Sequence, residues 1–129
     1  MHPPFYRAAV LALVLGTACA PHRTGASASG RNRDEISLAE LREHHFTDAY
    51  AAVEALHSNW LQTRGTDSFA SPGQVLVYMD DSRIGGVESL RNIATNTISF
   101  IRHYDGLAAT ARWGLDHGNG VIYVSSRPK

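Results

Sequence analysis

The apolar positions in the second half of the chain form three short runs that predict β-strands. Residues 75–79 read Val-Leu-Val-Tyr-Met, residues 98–104 read Ile-Ser-Phe-Ile-Arg-His-Tyr, and residues 121–125 read Val-Ile-Tyr-Val-Ser. β-branched and aromatic residues dominate these runs, as is typical of strands. The middle run has apolar residues on both faces, which predicts a central strand. Alternation along the last run places Tyr123 on the face opposite its two neighbours.

Two helices are predicted ahead of the first strand. Ser37 and Glu40 have the spacing of a capping box, which predicts a short helix that extends to about residue 44. A longer helix is predicted to begin at a cap formed by Thr47 or Asp48. Its apolar residues share one helical face and comprise Tyr50, Val53, Leu56 and Trp60.

The pattern between the strands predicts a hairpin and further helical turns. Residues 80–83 read Asp-Asp-Ser-Arg and predict a turn, after which residues 84–86 return beside the first strand. Apolar positions at helical spacing predict a helix over residues 87–94. The alanine-rich residues 107–113 predict a short helix that ends at Gly114. The sum is an α+β fold, in which a small mixed sheet packs with two to three helices.

The composition indicates one globular domain and argues against nucleic acid as a partner. The chain has 129 residues, of which 43% are hydrophobic and 19% are charged. These values are typical of a single folded domain. Twelve basic and twelve acidic residues give a net charge of zero, whereas nucleic-acid binders usually carry a basic surplus. The single cysteine excludes an internal disulfide.

Residues 1–18 are predicted to be a secretory signal peptide outside the fold. Residues 8–15 are an unbroken apolar run, and small residues follow it up to Cys19. Residues 15–19 read Leu-Gly-Thr-Ala-Cys and resemble a bacterial lipobox, whose cysteine is acylated and becomes the mature N-terminus. Gly16 departs from that pattern, because an aliphatic residue is preferred there. The alternatives are an ordinary signal peptide with an incidental cysteine, and a retained membrane anchor.

Residues 19–33 are predicted to be a flexible tether, and residues 34–129 to be the folded domain. The tether is rich in Ala, Ser, Gly and Arg and has no periodic apolar face. Acyl chains such as palmitate on Cys19 would bind the membrane by burying their methylene groups. The expected location is therefore the periplasmic face of the bacterial outer membrane, or otherwise the periplasm.

The chain's C-terminal region carries a glycine-rich pattern between the last predicted helix and strand. Over about residues 75–127, the chain resembles the plug domain of TonB-dependent outer-membrane receptors. The residues that carry this resemblance most strongly are Trp113, Gly114, Gly118, Asn119, Gly120, Val121 and Ile122. The resemblance implies a folding module without its own barrel. It also implies an envelope protein as partner, either a barrel or a larger assembly.

The motif residues predict structure and offer no nucleophile or general base. Glycine permits positive φ or a close backbone approach, which predicts such geometry at Gly114, Gly118 and Gly120. Asn119 also tolerates the left-handed region. Asp81 stands where the family has glycine, and the strand at residues 98–104 lacks the family's acidic residue.

Histidines provide the main alternative chemistry. A zinc or haem site formed by His103, His117 and one helix histidine is conceivable, but metal-ligand spacings such as HExxH are absent from the sequence. Asp80 and Asp81 are predicted to serve the turn rather than catalysis. The sequence therefore predicts a non-catalytic envelope lipoprotein that acts by protein binding, without cofactor or metal. The alternative is a periplasmic module that binds a small ligand, a metal or haem.

Overall fold

The structure, a computed structural model, describes residues 32–64 and 73–129. The predicted signal peptide and Cys19 lie outside these ranges. Five strands of the described residues form one mixed sheet in the order β1-β4-β5-β2-β3. The strands are β1 (Glu35–Ser37), β2 (Leu76–Met79), β3 (Ser82–Gly86), β4 (Phe100–Tyr104) and β5 (Val121–Ser125). The three α-helices are α1 (Leu38–His44), α2 (Ala49–His57) and α3 (Gly106–Trp113). The predicted α+β fold is confirmed.

The sheet combines a hairpin with one parallel pair. β2 and β3 form the predicted antiparallel hairpin, while β2 also pairs in parallel with β5. β4 pairs with both β1 and β5 in antiparallel register, so the prediction of a central strand is confirmed. β1 was not predicted. It is only three residues long and leads directly into α1.

The helix starts agree with the predicted caps. The Ser37 N–H donates to Glu40 Oε2 at 2.8 Å, and the Glu40 N–H donates to Ser37 Oγ at 3.3 Å, which completes the capping box. Of the two predicted caps for α2, the structure uses Asp48, whose carboxylate accepts the Ala51 N–H at 2.9 Å. After α2 the chain continues as a 3-10 turn at Ser58–Leu61. None of the described helices is long and apolar enough to cross a membrane.

The segment after the hairpin differs from its prediction. Helical spacing predicted a helix over residues 87–94, but the structure has a 3-10 helix at Val87–Asn92. The reason is tertiary, because Ile93 is extended and its carbonyl accepts the Ala49 N–H at 2.9 Å. That hydrogen bond and a β-bridge between Asp48 and Ala94 join the segment to the start of α2. Extended backbone here ends the helix early.

The sheet has an apolar core on each face. The first face packs against α1, α2 and the 3-10 helix, and its buried side chains include Ile36, Leu41, Val53, Trp60, Val77, Leu90, Ile101, Ile122 and Val124. The second face packs against α3 through Leu76, Tyr78, Ala109 and Val121. Tyr123 packs on the second face, opposite Ile122 and Val124, as predicted. α3 covers part of the second face and leaves the neighbouring strands accessible.

Candidate interaction surface

The glycine-rich segment connects α3 to β5 with only some of the predicted backbone geometry. Gly114 ends α3 at φ 104°, and Gly120 precedes β5 at φ 93°, so both use positive φ as predicted. Gly118 and Asn119 do not, and Gly118 has φ −60°. At Gly118 the chain continues a 3-10 turn, so this glycine does not use positive φ, the first of the two predicted geometries. The backbone approach that needs a glycine is at Gly106, where a Cβ would lie 1.9 Å from the Gly118 carbonyl oxygen.

The remaining motif residues join the two layers of the domain. Val121 is buried in the second-face core and Ile122 in the first-face core. Asn119 is buried, and its Oδ1 accepts the Arg64 N–H at 3.2 Å, which ties this turn to the segment after α2. Trp113 is half-buried and stacks on Tyr78, with 5.0 Å between ring centroids. Among the described residues, these four therefore make contacts that hold the fold together.

His117 is part of the same structural turn. Its Nδ1 lies 3.0 Å from the Gly114 carbonyl oxygen, and its Nε2 lies 2.9 Å from the Tyr78 hydroxyl. A carbonyl oxygen only accepts, so in the neutral imidazole Nδ1 carries the proton and Nε2 accepts from Tyr78. Both ring nitrogens are thereby engaged inside the protein, which argues against His117 as a ligand for a metal.

His103 lies on the other face of the sheet. Its ring stacks on Trp60 at 5.2 Å, and Trp60 in turn stacks on His57 at 4.2 Å between centroids. Burial lowers the pKa of His103. The alternative site of His103, His117 and a helix histidine is thus not assembled. In residues 32–64 and 73–129 no three His, Cys, Asp or Glu side chains are grouped to hold a metal ion.

The two hairpin aspartates serve the turn, as expected from their position. The Asp80 carboxylate accepts the Ser126 hydroxyl at 2.8 Å, the Ser126 N–H at 3.1 Å and the Ser125 hydroxyl at 3.3 Å. These hydrogen bonds, led by that of the Ser126 side chain, lower the pKa of Asp80. Asp81 faces outward, 3.6 Å from Arg127. The two serines thus hold the hairpin to the end of β5.

A cluster of half-buried aromatic rings occupies the second face beside α3. Alternation along β4 and β5 brings Phe100, Tyr104 and Tyr123 onto this face, and α3 contributes Trp113. The Tyr123 ring centroid lies 6.2 Å from Phe100 and 6.4 Å from both Tyr104 and Trp113. Tyr104 and Trp113 meet edge to face at 5.1 Å. We call these four residues the aromatic face.

Three cations border the aromatic face. The guanidinium carbon of Arg112 lies 4.9 to 5.7 Å from the centroids of three of its rings, those of Tyr104, Trp113 and Tyr123. Arg102 and Lys129 both bind the buried carboxylate of Glu35, and Arg102 Nε donates to it at 3.0 Å. The cations outnumber this carboxylate by two, so these four side chains carry a net charge of +2.

Sequence reasoning identified these residues only in part. From the sequence alone, Arg102 and Arg112 are expected to belong, with Arg64 and Arg83, to a solvated charged face. The sequence feature that indicates the aromatic face is the spacing of Phe100, Arg102 and Tyr104, because alternate residues of a strand lie on one face. The pairing of Arg102 with Glu35 of β1 has no such feature in the sequence, because the two residues are 67 positions apart.

The Glu35 cluster gives a prediction about stability and pH. Burial alone would raise the pKa of Glu35, but the hydrogen bonds from Lys129 and Arg102 outweigh it and hold that pKa below its usual value. A depressed folded pKa adds stability above the unfolded pKa, and this is lost as pH falls through the folded value. We expect Glu35→Gln to lower the unfolding free energy by about 2 kcal/mol at neutral pH. The difference from the unsubstituted chain should vanish in acid.

Urea unfolding at neutral pH and at acid pH measures this difference. Glu88→Gln is the matched control, because Glu88 pairs with Arg91 at 2.7 Å but both side chains are exposed. An exposed pair contributes little to stability, because water and salt screen it. Equal losses in the two variants, or a loss in Glu35→Gln that persists in acid, would contradict the role of the buried carboxylate.

Comparison with known proteins does not assign a function to the aromatic face. Searches against models of protein families, curated proteins and solved structures found no match. The function is therefore argued from the residues and their geometry.

Proposed function

We propose that the chain is a non-catalytic, plug-like envelope lipoprotein that binds a partner protein through the aromatic face. The main observation that supports this proposal is the packing of four half-exposed rings, with Arg112 over three of them. Aromatic residues and arginine are the residue types most enriched in the energetic centres of protein interfaces. Their rings present a large area and lose little conformational entropy on binding.

The polar groups around this face support a binding role over a catalytic one. His117 is hydrogen-bonded through both ring nitrogens, and the Asp80 carboxylate binds the serines at the end of β5. Glu35 holds Arg102 and Lys129. A catalytic nucleophile needs an adjacent base that is free to accept its proton. The contacts of these groups are instead those of structural residues.

The plug-like part of the proposal draws on the order of elements in the C-terminal half. The hairpin, strand β4 and the glycine turn before β5 follow one another in the same order as the sequence motifs that carry the resemblance. Positive φ at Gly114 and Gly120 supports the turn. The lipobox-like residues ending in Cys19 support acylation and an envelope location. A barrel or an envelope assembly is the proposed partner.

The charge on the aromatic face specifies the chemistry of this partner. Arg112 is exposed, and Arg102 and Lys129 share one buried carboxylate, so these four side chains leave a charge of +2 beside the rings. Arginine binds carboxylates with two parallel hydrogen bonds, which gives direction as well as affinity. The partner surface is therefore one that carries Asp or Glu beside apolar groups.

Charge reversal tests this binding mode. We expect Arg112→Glu, in the full chain, to weaken retention of its envelope partner by about thirtyfold, the effect of losing an interfacial hot spot. The measurement is quantitative mass spectrometry of proteins cross-linked to the chain in solubilised envelopes. Arg83→Glu is the control, because Arg83 is an exposed residue of edge strand β3 and changes the net charge equally.

The pattern across variants decides the outcome. A protein that is retained by the unsubstituted chain and by Arg83→Glu, but lost with Arg112→Glu, supports the proposal. Equal loss in both variants would indicate a non-specific charge effect, and equal retention would show that the aromatic face is not the binding surface. Circular dichroism of each variant verifies that the fold is intact.

A further inference from the structure

The outward side of α3 is apolar although it faces solvent. Leu107 is 83% exposed, and Leu115, directly after the helix in a 3-10 turn, is 88% exposed. Ala108 and Ala111 are exposed between them. Among the described residues, the other large hydrophobic side chain that is exposed is Ile84, at 40%. A single exposed leucine needs no explanation, but two on consecutive short elements with exposed alanines between them indicate a contact surface.

The residues next to this outward side are those found where proteins meet a bilayer. Two residues of the aromatic face, Trp113 at the end of α3 and Tyr104 in β4, are half-buried there, and Arg112 lies over both rings. Tryptophan and tyrosine are enriched at membrane–water interfaces, because each has an apolar ring and a polar group. Long basic side chains keep their charge in water while their stems cover apolar groups.

The chain enters the domain beside α3. Asn32 and Asp34 line the same cleft, of about 430 Å³, as Asp105 and Ala108 at the first turn of α3. The Asp34 carbonyl accepts the His103 N–H at 2.8 Å, which fixes this entry point to β4. Cys19 precedes Asn32 by 13 positions (32 − 19). A fully extended chain of that length reaches at most about 45 Å. A tether that begins beside α3 and has this length allows the α3 side of the domain to contact the bilayer that holds an acylated Cys19.

We propose that Leu107 on α3 and Leu115 in the 3-10 turn that follows it insert into the interfacial region of the bilayer that carries the lipid anchor. This inference rests on the proposed function for the anchor at Cys19. The charged groups on α3 and its flanks are Asp105, Arg112 and Asp116, and the Asp105 carboxylate caps the helix by accepting the Ala108 N–H at 2.8 Å. Their net charge is −1, so this side of α3 has no net attraction to anionic lipid, and the proposed contact is with a zwitterionic lipid surface.

The contact is tested by placing an environment-sensitive fluorophore on single cysteines. The full chain, purified from the envelope, carries Leu107→Cys, Leu115→Cys or Ala55→Cys and is reconstituted in phosphatidylcholine vesicles with brominated acyl chains. An acylated Cys19 has no thiol to label. Ala55 is the control, because it is exposed on α2 and lies on the opposite face of the sheet. We expect a blue shift and bromine quenching at positions 107 and 115, and neither at position 55.

Mass spectrometry of the same preparations reports the acyl chains independently. If Cys19 is acylated and positions 107 and 115 behave like position 55, the bilayer contact is refuted while the anchor stands. If Cys19 is not acylated, the anchor is refuted, and the same labels in a Cys19→Ser chain added to vesicles decide the α3 contact by the same criterion. A shift that requires envelope proteins and is absent with lipid alone assigns the surface to a protein and overturns the proposal.

Discussion

Replacing Trp60 by alanine is expected to lower the unfolding free energy by about 4 kcal/mol, in the range measured for large aromatic residues removed from cores. Trp60 is 2% exposed and belongs to the first-face core. Its ring stacks between the imidazoles of His57 and His103, at 4.2 and 5.2 Å. Alanine would leave a cavity with two polar rings on its walls. Urea unfolding of the variant and the unsubstituted chain, followed by circular dichroism, measures the loss.

The second tryptophan is the matched control for this prediction. Trp113 is half-buried and stacks on Tyr78, so Trp113→Ala should cost less than half as much. The pKa of His103 provides a second, independent measurement. Burial lowers its pKa, and opening the core in Trp60→Ala should raise that pKa toward the usual value, as measured by NMR titration. Equal losses in the two alanine variants, or an unchanged His103 pKa, would contradict the assigned core role of Trp60.

The elements that the sequence predicted well are those with local signals. The capping box at Ser37 and the cap at Asp48 each involve residues three positions apart, and both are present. α3 ends at Gly114, where positive φ favours glycine. The central position of β4 followed from apolar residues on both of its faces. In each case, the physical cause lies within one turn or one strand of the residue.

The elements that were missed depend on partners that are distant in sequence. β1 has three residues and is a strand because Ile36 pairs with Ile101. The segment at residues 87–94 has the spacing of an α-helix, but the hydrogen bond from Ala49 to Ile93 requires extended backbone at its end. Propensity is weak against such tertiary contacts. Neither outcome can be derived from the residues of the segment alone.

The candidate surface shows the same division between local and distant causes. Alternation along β4 places Phe100 and Tyr104 on one face, which the sequence alone indicates. That Trp113 and Arg112 of α3 join these rings depends on how the helix packs on the sheet, and this is set by the tertiary structure. A sequence pattern therefore gave candidate residues, while the structure gave the surface they form together.

The last prediction concerns a glycine whose role no local pattern reveals. Gly106 is the first residue of α3, where alanine would ordinarily favour the helix by about 1 kcal/mol. A Cβ at this position would lie 1.9 Å from the Gly118 carbonyl oxygen and 2.8 Å from its carbonyl carbon. These are backbone atoms, so they can yield only if the turn before β5 moves. We expect Gly106→Ala to lower the unfolding free energy by about 3 kcal/mol, at the upper range for overpacked sites.

Gly118→Ala tests the other side of the same contact. Gly118 is exposed and has φ −60°, a backbone conformation that alanine adopts without strain. Restricting the unfolded chain at such a site raises stability by up to about 1 kcal/mol, so this variant should be neutral or slightly more stable. Thermal unfolding of both variants gives the comparison. A larger loss of stability in Gly118→Ala than in Gly106→Ala would contradict this prediction. It would show that the close approach of α3 to the turn is not what limits the residue at position 106.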